Sequence, residues 1–100
     1  MFDFSVVQKT DISASEFAAL IRYKDDKQES RSITRETAWK WISGKREPTK
    51  DLQLKVSKVL FLLNESFIAG DLPLKLGTPR AERKHLIAVA VGKQLPKVTG

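Results

Sequence analysis

Leu52, Val56, Val59, Leu60 and Leu63 fall at i, i+4, i+7, i+8 and i+11, a spacing that lines one face of an α-helix and fits no strand. A helix of this kind is stable only against a second apolar surface, so the rest of the chain has to supply one. Its other segments also carry helical signals. Ser13 stands three residues before Glu16, the spacing of a reciprocal capping box, and Phe17, Ala18, Leu20, Ile21 and Tyr23 follow as a compact apolar stripe. A helix is predicted from Ser13 to about Lys24. Thr34 can cap the next one, Glu36 in its first turn complements the helix dipole, and Gly44 can stop it in a left-handed conformation. Arg35 to Ser43 is therefore predicted helical, with Ala38, Trp41 and Ile42 facing inward. Thr78-Pro79 puts a cap ahead of a proline at the first helical position, which predicts a last helix over Arg80 to Gln94. A strand at Leu86 to Val91 is the rival, because LIAVAV is short, apolar and partly β-branched.

Asp25 to Ser32 reads DDKQESRS, without an apolar anchor, and is predicted to be a solvated loop. Gly70 to Gly77 holds Asp71, Pro73 and two glycines and is predicted to be another. The first ten residues, with Phe2, Phe4, Val6 and Val7 apolar, are too few to separate strand from helix; a short helix is preferred. The expected fold class is all-α with about five helices, residues 1–77 forming the main domain and 78–100 a C-terminal helix and tail. Leu54, Phe61 and Leu62 lie off the Leu52 stripe, more apolar surface than one small core needs, and some of it is expected to meet another subunit.

Composition narrows the chemistry. The chain has 18 Lys and Arg against 12 Asp and Glu, a formal charge of +6, which favours a polyanionic partner. Zero cysteines exclude a disulfide scaffold, a thiol nucleophile and cysteine-based metal sites, and a single histidine, His85, supplies no histidine cluster. No metal, cofactor or small-molecule ligand is expected. The longest apolar runs, Val59 to Leu63 and Leu86 to Val91, fall far short of the ~20 residues that cross a bilayer. Without a signal-like start either, the expected location is the cytoplasm.

The segment Arg35 to Pro48, RETAWKWISGKREP, combines a short helix, a glycine stop and a basic turn. Its predicted outer side carries Arg35, Glu36, Thr37 and Lys40. Arginine can make a paired contact to guanine, glutamate can accept from the cytosine amino group, and threonine can meet thymine, in a major groove that admits one α-helix. Lys45 and Arg46, just past Gly44, suit phosphate or a groove edge.

In these residues the chain resembles the Cro and lambda-repressor-like (XRE-type) helix-turn-helix family. TAWKWISGKREP is similar to the end of that family's recognition helix, where an aromatic, a glycine, basic residues and a proline follow in order: here Trp41, Gly44, Lys45, Arg46 and Pro48. SASEFAALI, Ser13 to Ile21, resembles the family's second helix, and DLQLKVSKVL, Asp51 to Leu60, its fourth. The match spans roughly Ser13 to Gly70. The family joins its second and third helices by about three or four residues, whereas here Asp25 to Ser32 is interposed. Either the second helix is prolonged and the loop bulges out, or the Ser13 helix corresponds to the family's first. The resemblance implies base or backbone contacts from Thr34, Arg35, Glu36, Thr37 and Lys40, further contacts from Lys45 and Arg46, and a phosphate at Ser13.

Other residues have plainer readings. Trp41 is expected in the core, while Trp39 stands even between shielding the helix-loop junction and touching DNA. Arg80, Arg83 and Lys84, with Lys75, are expected on a solvated helix face rather than on phosphate, and His85 is expected to be a bystander. Leu86 to Val91 is either core or a dimer seam.

The leading functional expectation is a sequence-specific double-stranded-DNA-binding transcriptional regulator of the small phage or mobile-element kind. It would act by occluding an operator as a homodimer, since one recognition helix reads only a few base pairs. An antitoxin, or a protein-binding adaptor on the same scaffold, is the alternative. RNA binding ranks third for want of a stacking-platform motif. Enzymatic activity ranks last, because no phosphate loop, metal-ligand set or serine elbow arranges the reactive side chains.

Overall fold

In the computed structural model, which describes residues 2–95, the helical signals become α1 (Ser5–Lys9), α2 (Ala14–Leu20), α3 (Arg35–Ile42), α4 (Lys50–Ile68) and α5 (Arg80–Lys93). A two-stranded antiparallel sheet, β1 (Arg22–Lys24) with β2 (Ser30–Ser32), stands between α2 and α3. The all-α expectation is corrected accordingly: the fold is mostly helical with one hairpin. The end of the expected C-terminal tail, residues 96–100, lies outside the described residues.

Local chemistry sets most helix ends. Ser13 Oγ accepts from the Glu16 amide (3.1 Å) and Glu16 Oε1 accepts from the Ser13 amide (2.8 Å), so both halves of the capping box form. α3 stops where Gly44, at φ +79°, donates to the Trp41 carbonyl and the Lys45 amide reaches back to Lys40. Two otherwise orphaned carbonyls are thereby satisfied, at a backbone angle that favours glycine. Gly70 repeats the device after α4, its amide on Phe67 and the next amide on Ser66.

The hairpin is where sequence and structure differ most. α2 ends at Leu20, not near Lys24, because Ile21 turns into extended backbone (φ −98°, ψ 97°) and buries its side chain. The polar stretch Asp25 to Ser32 is no open loop. Asp25 gathers it: one carboxylate oxygen accepts from the Lys27 and Glu29 amides (2.9 Å each) and the other from the Arg31 guanidinium. Aspartate organises turns in this manner, and the resulting contacts hold its carboxyl below the usual range, the Arg31 hydrogen bond first among them. Pairing then runs Arg22 with Ser32, Tyr23 with Arg31 and Lys24 with Ser30. At the base the Ile33 amide donates to the Ile21 carbonyl (3.1 Å), with both isoleucine side chains buried. The segment between the two isoleucines is thus pinched out, and α2 and α3 pack on each other. With α1 ahead of it, the Ser13 helix is second in chain order and is not prolonged.

The core takes Phe17, Ala18 and Ile21 from the α2 region, Ala38 and Trp41 from α3, Val56, Leu62 and Leu63 from α4, and Ile87, Ala90 and Val91 from α5. Each large apolar side chain removed from water contributes about 1.5–3 kcal/mol. The core is continuous across residue 77, and Leu86 to Val91 is helix, not strand. Two polar links fasten α5. The buried Ser66 hydroxyl donates to the Leu62 carbonyl (2.9 Å) and lies 3.2 Å from the Ala90 carbonyl. Arg83, expected on a solvated face, instead donates to Glu16 on α2 (Nε to Oε2, 2.7 Å) and to the Asp11 carbonyl (2.6 Å). Among the described residues no helix is long and apolar enough to cross a membrane.

Candidate nucleic-acid interface

α3 has one face that the fold uses and one that it leaves open. Ala38 and Trp41 are buried, Ile42 is partly buried, and on the other side Arg35, Glu36 and Trp39 are exposed. Trp41 anchors the helix from behind, in the core position expected for it.

On one flank of α3 an open groove is shared with the start of α2 and of α5, and it gathers Ser13, Ser15, Arg35, Glu36, Trp39 and Arg80. On the other flank a second groove, shared with the hairpin and the start of α4, gathers Tyr23, Thr37, Lys40, Arg46, Glu47 and Thr49. The helix is therefore a ridge between two grooves. Each groove has two cations, Arg35 and Arg80 in the first, Lys40 and Arg46 in the second, and one carboxylate, Glu36 and Glu47 respectively.

The eight residues singled out from the sequence do not all stand free. Thr34 caps α3: its Oγ1 accepts from the Thr37 amide (3.1 Å) while its hydroxyl donates to Thr37 Oγ1 (2.9 Å). Both hydroxyls are thus engaged locally before any base is met. Thr37 is also half-buried and faces the hairpin side, not the crest. Lys40 Nζ pairs with Glu36 Oε1 across one turn (3.3 Å), a solvent-screened contact worth about 0.3–0.5 kcal/mol that a phosphate can displace. Ser13 uses its amide and its acceptor oxygen in the capping box, leaving only its hydroxyl hydrogen to offer an anion. Arg35 is exposed and makes no ion pair with a described residue. Lys45 lies past the end of the helix with Nζ 4.6 Å from the centre of the Trp39 ring. Arg46 is exposed, and its amide is tied to the Lys40 carbonyl (3.2 Å).

Two residues outside the eight also join this surface. Trp39 is 48% exposed beside Arg35, and with Lys45 over it the indole forms an apolar, cation-edged spot on the ridge. Its offset of two residues from the inward Trp41, which turns it away from the core, was the available signal. Arg80 arrives from 45 residues beyond Arg35 by the packing of α5 on α2, and no local pattern announces it.

Comparison of the chain with protein-family models, with curated proteins and with solved structures gave no match.

Proposed function

We propose that the chain is a sequence-specific double-stranded-DNA-binding regulator in which α2 and α3 act as a helix-turn-helix with a hairpin inserted at the turn. One observation supports this most: α3 is an exposed helical ridge flanked by two grooves that each carry two cations. A ridge one helix wide suits the major groove, and cations on both sides suit the phosphate strands that border it. In this reading Arg35 and Glu36 meet base edges, Lys45 and Arg46 meet backbone from one end of the ridge, and Arg80 adds a phosphate contact from α5. Thr34 holds the start of α3. The net charge of +6 adds long-range attraction to the duplex. In this reading, regulation follows from occupancy of an operator.

Selection of bound duplexes from a random pool tests the reading, and enrichment of a defined sequence is the expected result. On that site Arg35→Ala is expected to weaken binding by ~1–3 kcal/mol and to relax base choice at one position. Lys45→Ala is expected to weaken cognate and random duplexes alike. Equal losses for both variants on both duplexes would overturn this division of roles, and an unenriched pool would remove sequence specificity altogether.

A further inference from the structure

Of the four exposed large apolar residues of α4, three are in line and Phe67 stands apart. Leu54 (81% exposed), Phe61 (61%) and Ile68 (70%) stand seven residues apart, so they form one outward stripe of about 21 Å, which drifts only slowly around the helix. Single exposed apolar side chains are ordinary, whereas a row of them on one helix is the kind of patch that another surface covers. Beside the stripe, α1 and α4 enclose a shallow depression lined by Phe2, Ser57, Leu60, Phe61 and Asn64.

The stripe is symmetric about its middle. Phe61 is equidistant from Leu54 and Ile68, so two copies related by a two-fold axis through Phe61, with their helices antiparallel, bring the two rings together and set each Leu54 against Ile68 of the second copy. The charges beside the stripe obey the same symmetry. Lys58 lies one turn before Phe61 and Glu65 one turn after it on the same edge, and neither forms an ion pair with a described residue. The antiparallel arrangement puts Lys58 of each copy beside Glu65 of the other, whereas a parallel two-fold pair sets this edge against the Ser57 and Asn64 edge of the second copy and pairs no charges. On the opposite edge Ser57 and Asn64 exchange in the same way. On α5, Ile87, Ala90 and Val91 are inside the subunit's own core, and Leu86 (36%) and Val89 (42%) are each less exposed than any member of the α4 row.

We propose that a second copy of this chain covers the outer face of α4, as an antiparallel helix pair centred on Phe61. This goes beyond the DNA-binding reading and stands without it, so its test uses the full chain with no duplex present.

Sedimentation equilibrium at tens of micromolar is expected to give twice the 11.3 kDa mass of the chain. Lys58→Glu and Glu65→Lys are each expected to raise the dimer dissociation constant about tenfold, or about 1.4 kcal/mol, and the double variant K58E/E65K to restore most of the affinity. Lys58 is exposed and Glu65 half-buried on the outward side of α4, and circular dichroism of each variant checks that it is folded. The chain has no cysteine, which leaves a clean background for cross-linking. Leu54→Cys and Ile68→Cys are expected not to form disulfide dimers alone but to link to each other when mixed. A monomer mass for the unaltered chain, a double variant no better than the singles, or Leu54→Cys cross-linking to itself would overturn the proposal.

Discussion

Trp41→Ala is expected to destabilise the domain by about 3–5 kcal/mol, the range for truncating a large buried aromatic. Trp41 is 4% exposed and sits in the core with Ala38 on the same side of α3. Its removal leaves a void behind the ridge on which the proposed function depends. Against a typical total of about 5–15 kcal/mol the loss is severe, and it corresponds to a fall of more than about 12 °C in Tm. Trp39→Ala gives the contrast. That ring is half exposed and its main partner is the Lys45 ammonium, a surface contact worth about 0.5–1 kcal/mol. Urea unfolding followed by circular dichroism measures both. A larger loss at Trp39 than at Trp41 would mean that the inward and outward sides of α3 had been exchanged.

Arg83→Met is expected to cost about 3 kcal/mol, near the low end for breaking a buried ion pair by removing one partner, because the Arg83 side chain keeps 19% of its exposure. The variant strands Glu16, 8% exposed, with its capping-box bond but no cation. Glu16→Gln is milder at the helix start, since glutamine can also fill that place in a capping box, but it leaves the arginine without its partner charge. The pair also gives the domain an acid dependence. Burial pushes the Glu16 carboxyl up; the hydrogen bond from Arg83, the bond from the Ser13 amide and the attraction of the guanidinium together outweigh it, so the group lies below its usual range. Arg83 is raised in turn, chiefly by its hydrogen bond to Glu16. A carboxyl lowered by folding adds stability that is complete above the unfolded-state value, about 4.3, and that is lost as pH falls through the folded value. Thermal melts from neutral to acid pH are expected to show this loss in the unaltered chain and a smaller one in Arg83→Met. Parallel pH profiles in the two proteins would contradict the role given to the pair.

What the sequence disclosed was local. The Ser13–Glu16 box, the Gly44 stop and the Leu52–Leu63 stripe each depend on residues within a few positions of one another, and the structure has all three. What stayed hidden depended on distance or on satisfied chemistry. β1 and β2 carry no apolar alternation that would announce strands, and their register is fixed by the Asp25 turn at one end and the Ile21–Ile33 contact at the other. Arg83 meets a carboxylate 67 residues away, so nothing beside it in the chain distinguishes it from the solvated cations around it. At the candidate site the Thr34 cap was legible from its residue type, but only the geometry shows its hydroxyl also donating to Thr37, which was expected at a base edge. Arg80 was discounted because helix-face cations are usually solvated, and only the packing of α5 carries it into the groove beside Arg35.

The salt dependence of duplex binding tests the central claim most directly. Cations that neutralise phosphates release counterions, so for six or more contacts affinity is expected to fall by ~10³-fold or more between about 50 and 200 mM salt. Arg80→Ala and Lys45→Ala should each flatten the logarithmic slope by about one phosphate contact. Affinity for duplex that is absent at low salt, or that does not change across that range, would contradict the assignment of the α3 ridge to DNA.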